Sequence, residues 1–221
     1  MKYIKVVLLF VFIAFGWHKS KAYDFMVVNG LCYNFNEDGT SVTVTYMKDG
    51  NNGYGYYDWY SCVNGELIIP SSVTYNGNTY SVTAIGKYAF DNCNGLTSVT
   101  IPSSVTSIGE SSFKGCDNLK SISWLNSNVT TIGSSAFAST GLTSVTIPNS
   151  VTTIDSYAFS YCKGLTSLII GNSVKTIGYQ AFYYCSSLAS ITIGSSVTSI
   201  GQNAFIGCGS LSKFRISDIA A

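Results

Sequence analysis

Five cysteines recur at one position of this 221-residue chain: Cys93, Cys116, Cys162, Cys185 and Cys208 each close a segment in which a small residue and phenylalanine stand just before. A thiol does chemistry as a thiolate, which needs a nearby base or cation, or as a soft metal ligand, which needs further ligands. The chain supplies neither pattern. Its single histidine is His18, no C-x-x-C or Cys–His spacing occurs, and the acids Asp91, Glu110, Asp117 and Asp155 stand at different points of the chain's internal period. Histidine is the usual general base and the commonest metal ligand. No catalytic, metal or cofactor site is therefore expected, and the chain is read as non-enzymatic. At one repeat position the five thiols stack along an axis, where reduced, buried cysteine behaves as a small apolar residue. Cys32 and Cys62 lie outside that stack; they are left either as a disulfide pair or as two thiols.

Lys2 and Lys5 precede an apolar run from Val6 to Trp17 and a polar stretch ending Ser20-Lys21-Ala22. That order reads as a secretory signal peptide over residues 1–22. The run is shorter than the ~20 residues a membrane span needs, and no later segment qualifies. No cysteine follows the expected cut, so no lipid anchor is expected there. Cleavage removes His18 and four lysines, leaving eight basic and eleven acidic residues, a net charge of −3. With Arg215 its one arginine, such a chain lacks the basic patch that phosphate backbones demand, so nucleic acid is excluded as a partner.

The elements that position these residues come from a repeat. Leu96, Leu119, Leu142, Leu165, Leu188 and Leu211 are spaced by 23 residues, and Phe90, Phe113, Phe137, Phe159, Phe182 and Phe205 follow the same period. A fixed period of about 20–29 residues with L-x-x-L-x-L is the signature of a leucine-rich-repeat solenoid. In the unit Leu96-Thr97-Ser98-Val99-Thr100-Ile101 the alternation predicts a strand with Leu96, Val99 and Ile101 inward, and Ser98 and Thr100 outward. Pro102 ends it, Val105 and Ile108 face inward on the return path, and Glu110–Cys116 is expected to be a short helical segment packing Phe113 and Cys116. The architecture expected is a right-handed coil with a parallel β-sheet, short helical or irregular turns on the other side, and a β-hairpin N-terminal cap.

Residues 23–66 are assigned to that β-rich cap, with Asn29-Gly30 as a hairpin turn, and 67–221 to an array of about six to seven units without a clear C-terminal cap. The chain's end is left open between a frayed last strand, end-on pairing and continuation in a longer product. Two units deviate. Trp124–Asn128 is one residue longer than I-P-S-S and predicts a surface bulge, or a local contact site; Ala136–Leu142 is one residue shorter and lacks its cysteine. Asn128-Val129-Thr130 also forms a glycosylation sequon.

Two surfaces are candidates for ligand contact. The outward positions of the main sheet carry Ser98, Thr100, Ser121, Ser123, Ser144, Thr146, Ser167, Ser190 and Thr192; regular hydroxyls suit many weak hydrogen bonds, and equally suit a solvated strand. Lys48–Tyr60 holds Tyr54, Tyr56, Tyr57, Trp59 and Tyr60 among glycines, a composition of adaptable recognition loops and also of a ring cluster folded over the first coil.

The run Leu142-Thr143-Ser144-Val145-Thr146-Ile147-Pro148-Asn149-Ser150-Val151-Thr152-Thr153-Ile154, followed by Ala158-Phe159 and Cys162, resembles the BspA-like class of bacterial leucine-rich repeats. The resemblance extends over about 67–216, and Phe25, Val27, Gly30, Tyr33 and Phe35 look like that family's leader cap. It implies a secreted or cell-surface protein without shared catalytic residues, of a kind that includes adhesins binding host extracellular-matrix protein. Protein ligands are thus the first expectation, a glycan the second, and a structural spacer or fragment of a larger surface protein the third.

Overall fold

The computed structural model describes residues 25–45 and 63–217. Each coil has three sides, and two of them are parallel sheet. On the first side, β4 (Gly65–Ile68), β7 (Leu96–Ile101) and β9 (Ser121–Trp124) form one ladder, and β11 (Ser144–Ile147), β13 (Ser167–Ile170), β15 (Ser190–Ile193) and β17 (Lys213–Ile216) form another. On the second side the two-residue strands β8 (Ser107–Ile108), β10 (Thr131–Ile132), β12 (Thr153–Ile154), β14 (Thr176–Ile177) and β16 (Ser199–Ile200) pair in register without a break.

That second sheet runs directly into the N-terminal segment. β1 (Phe25–Val28) and β2 (Leu31–Phe35) form a hairpin, β3 (Ser41–Thr45) pairs antiparallel with β2, and β3 joins β6 (Asn78–Ile85) in parallel. The hairpin turn is Asn29-Gly30, whose φ values of 51° and 81° suit a turn with two left-handed residues. A second hairpin joins β5 (Ser72–Tyr75) to β6. Asp38 organises the β2–β3 turn: its carboxylate accepts from the Ser41 hydroxyl and from the amides of Thr40 and Ser41, bonds that hold its pKa below the ordinary value. The signal peptide expected over residues 1–22 lies outside the described residues.

The inward residues are those the period predicts. Leu96, Leu119, Leu142, Leu165 and Leu188 are fully buried, as are Val99, Ile101, Val105, Ile108, Phe113 and Cys116. The phenylalanines stack in a single file from Phe90 to Phe205, with centroids 5.1–5.3 Å apart and planes within 13° of parallel. At the last described coil the same columns open to solvent: Ile200, Phe214 and Ile216 are half or more exposed.

The third side corrects the expectation of a helix at Glu110–Cys116. It is a run of turns, and the described residues contain no helix. Ser111 and Gly115 have φ of 52° and 71°, which a right-handed helix excludes. Instead of bonding along the segment, Ser111, Phe113 and Gly115 donate their amides across to the carbonyls of Ser134, Ala136 and Ala138 on the next coil, each at 2.8 Å. The intervening Lys114 and Cys116 amides reach back three residues. Bonds running between coils satisfy the backbone and leave Phe113 and Cys116 buried in the core.

One polar group breaks this side's apolar pattern. The position before each phenylalanine is Ala89, Ala136, Ala158, Ala181 and Ala204, but Ser112 in its coil. Ser112 is fully buried and its hydroxyl has no hydrogen-bond partner. An unmet buried hydroxyl costs about 1–3 kcal/mol. Ser112→Ala is therefore expected to raise the unfolding free energy by about 1 kcal/mol or more in urea denaturation; a destabilised variant would mean that the hydroxyl is satisfied in solution.

Candidate ligand-binding surface

The outward hydroxyls form two short files rather than one. Ser98 stands opposite Ser121 and Thr100 opposite Ser123. Ser144, Ser167, Ser190 and Lys213 form one row of the second ladder, and Thr146, Ile169, Thr192 and Arg215 the other. Between β9 and β11 the strands do not pair. The cause is the longer unit: Trp124 takes the register position of Ile101 and turns partly into the core, its indole meeting Phe137 edge-on at 6.4 Å. A ring wider than isoleucine spreads the coil there, and Leu125 and Asn126 bulge outward, with Leu125 55% exposed and Asn126 at φ 48°. The bulge is as expected; its breaking of the sheet was not. Tyr56, Tyr57, Trp59 and Cys62 lie outside the described residues.

The thiol column has structural bonds. Cys116, Cys162, Cys185 and Cys208 donate to the carbonyls of Phe90, Phe137, Phe159 and Phe182 at 3.0–3.3 Å. Hydrogen bonds with Cys162 and Cys208, together with burial, hold the Cys185 proton well above the ordinary thiol value, so it offers no thiolate at neutral pH. In the short coil Thr140 stands in the column, donating to the Phe137 carbonyl at 2.9 Å and lying 3.2 Å from Cys162 Sγ. Cys32 is buried on β2, and burial raises its pKa; its candidate partner Cys62 lies outside the described residues.

A surface that the repeat pattern conceals lies on the turn side. Tyr157, Tyr161, Tyr179, Tyr183 and Tyr184 gather on two adjacent coils. Tyr157 meets Tyr179 edge-on at 5.4 Å, Tyr161 meets Tyr183 edge-on at 5.5 Å, and Tyr161 stacks on Tyr184 at 5.8 Å and 26°. Tyr161 and Tyr184 are each 44% exposed. Three of the five occupy left-handed backbone, with φ of 59° at Tyr157, 58° at Tyr161 and 56° at Tyr184. The sequence signal was present: two of these positions stand two residues either side of Phe159, and the third two residues after Phe182. Spacing by itself does not say which rings of adjoining coils meet. Beside Tyr161 a shallow open depression of 470 Å³ is lined by Asp117, Lys120, Ser139, Gly141 and Lys163, among others. It lies where the coil is one residue short.

A stack of 23-residue coils with an inward leucine, valine, isoleucine and phenylalanine core, parallel sheets and no described helix defines a leucine-rich-repeat solenoid. Residues 83–212 match six copies of the BspA type leucine rich repeat region, and the chain belongs to that family. A leucine-rich repeat protein from Bacteroides ovatus is similar in structure, with 28% identity, a TM-score of 0.60, and coverage of 90% of this chain and 56% of that one. A leucine rich cell surface protein from Faecalibacterium prausnitzii gives 28% identity, a TM-score of 0.61, and coverage of 89% and 55%. The pneumococcal vaccine antigen PcpA shares the fold at 22% identity and TM-score 0.65, over 88% of this chain and 49% of its own. The chain thus spans about half the length of these proteins. No curated protein sequence matches it. Among the described residues no helix is long and apolar enough to cross a membrane.

Proposed function

We propose that this chain is a secreted or surface-exposed, adhesin-like binding protein that recognises protein ligands through its repeat surface without catalysis. The observation that carries the reading is the outward face of β11, β13 and β15. There Ser144, Ser167 and Ser190 stand in register, with Thr146 and Thr192 in the neighbouring row, over a fully packed core. A rigid face presenting many small hydrogen-bonding groups loses little side-chain entropy when covered by a partner. The signal-like segment at 1–22 and the Faecalibacterium relative described as a cell surface protein support export. The coils themselves supply only positioned surface, in keeping with a scaffold family.

The test is solid-phase binding of the purified chain to extracellular-matrix proteins. Saturable binding is expected, with a loss of tenfold or more when Ser144, Ser167 and Ser190 are together replaced by lysine while the melting temperature holds. Binding indifferent to the triple replacement would remove this face from the reading. A saturable signal confined to a glycan array and abolished by Trp59→Ala would replace it with the carbohydrate alternative.

A further inference from the structure

The tyrosines on the turn side stand in the backbone conformation that suits them least. Across coils, the left-handed position after each phenylalanine is Asn92, Gly115, Ser139, Tyr161, Tyr184 and Gly207. Glycine and asparagine accept this conformation readily, while a bulky ring does so at a cost. That cost is normally offset by burial, yet Tyr161 and Tyr184 leave 44% of their surface in water. Residues held in left-handed backbone while still partly exposed cluster at ligand contacts.

Their surroundings define the ligand. Tyr161 stacks on Tyr184, and the Tyr184 ring in turn lies so close over Gly207 that a Cβ there would meet it at 2.7 Å. The file of rings is thereby braced from one end. At its other end the short coil, Ser139-Thr140-Gly141, leaves the 470 Å³ depression in front of Tyr161. Lys120 and Lys163 stand at this depression with a single carboxylate, Asp117. Lys163 is exposed, and Lys120 reaches only the Asp117 carbonyl at 3.5 Å. The depression is shallow, polar and walled by one exposed ring. It suits a pyranose, whose C–H face lies on an aromatic ring while its hydroxyls meet polar groups, better than it suits an apolar molecule. Two ammonium groups against one carboxylate favour a sugar that carries an acid.

We infer that Tyr161, Lys163 and Lys120 form a binding site for an acidic glycan, a uronate- or sialate-bearing saccharide, on the turn side of the solenoid. The site is separate from the hydroxyl files, so it stands whether or not those bind protein.

The experiment is titration of the purified chain with a hyaluronan tetrasaccharide, 3′-sialyllactose and lactose, followed by tyrosine fluorescence and NMR. Saturable binding of at least one acidic saccharide is expected, with lactose at least tenfold weaker. Tyr161→Gly should abolish binding without lowering the melting temperature, because glycine relieves the left-handed backbone. Tyr161→Phe should retain binding. Lys163→Gln should weaken it at least fivefold and flatten its salt dependence, and the hyaluronan and sialyllactose arms report which acid is taken. Equal affinity for lactose would overturn the acidic assignment. The absence of binding by either acidic saccharide, or a Tyr161→Gly variant that unfolds early while binding as before, would overturn the site.

Discussion

Phe159→Ala should lower the unfolding free energy by about 3–5 kcal/mol, the usual cost of emptying a fully enclosed aromatic position. Phe159 has no solvent exposure and lies between Phe137 and Phe182, with centroids 5.2 and 5.3 Å away. Its removal opens a cavity in the middle of the file, where coils on both sides contribute to the walls and neither end can collapse inward. Two stacking contacts are lost in addition to the buried area, each of a kind worth about 0.5–1.5 kcal/mol. Because each coil touches only its neighbours, the loss should also weaken coupling between the two halves of the array. Urea unfolding followed by circular dichroism and tyrosine fluorescence measures both effects. The expected result is a lower midpoint, with the two probes separating. A loss below about 1 kcal/mol would mean that the file does not carry the stack.

The second large effect is expected at Gly178. It belongs to a column of Gly86, Gly109, Gly133, Asp155, Gly178 and Gly201 where the chain leaves the second sheet. A Cβ built on Gly178 would stand 2.5 Å from the carbonyl carbon of Asp155 and from the Ser156 nitrogen, both backbone atoms of the preceding coil. Neither can rotate away. The Gly178 amide, moreover, donates to the Ile154 carbonyl at 2.8 Å, so moving the coils apart stretches a ladder bond. Its φ is not in the left-handed region, which makes the penalty one of overpacking rather than of backbone conformation. Gly178→Ala should cost about 1–3 kcal/mol. Gly209→Ala is the control, since nothing lies within 4 Å of a Cβ there, and it should leave the midpoint almost unchanged. Equal effects at the two sites would show that the coil spacing is set elsewhere.

These two residues also separate what is local from what is not. Phe159 announces itself by recurrence: a large apolar residue every 22–24 positions can be buried only if successive units align. The leucine column, the outward serines and threonines and the hairpin at Asn29-Gly30 follow from the same local rules of alternation and turn chemistry. The split of the main sheet does not. It depends on Trp124 swinging against Phe137, a residue 13 positions later on another side of the same coil. Thr140 likewise takes the place of the missing cysteine only because the short coil carries its hydroxyl to the Phe137 carbonyl and beside Cys162.

Among the candidate contacts, the hydroxyl rows were legible because strand alternation alone decides which side chains face out. The tyrosine cluster was not. Tyr157 and Tyr161, four apart, would share one face of a helix as well, so their spacing alone does not say that Tyr161 meets Tyr184 of the adjoining coil. Amides that bond between coils, with left-handed residues on either side of each phenylalanine, bring them to one side.

The sequence alone determined the period, the identity of the buried columns and the absence of histidine beyond His18, because each depends on residue type and spacing. Only the tertiary structure decided which backbone bonds run along the coil and which between coils. That choice turned the third side into turns, interrupted the first sheet and set exposed rings beside a charged depression. Hydrogen-bond direction and ring packing between neighbouring coils are decided by atoms far apart in the chain, and no local pattern of residues encodes them by itself.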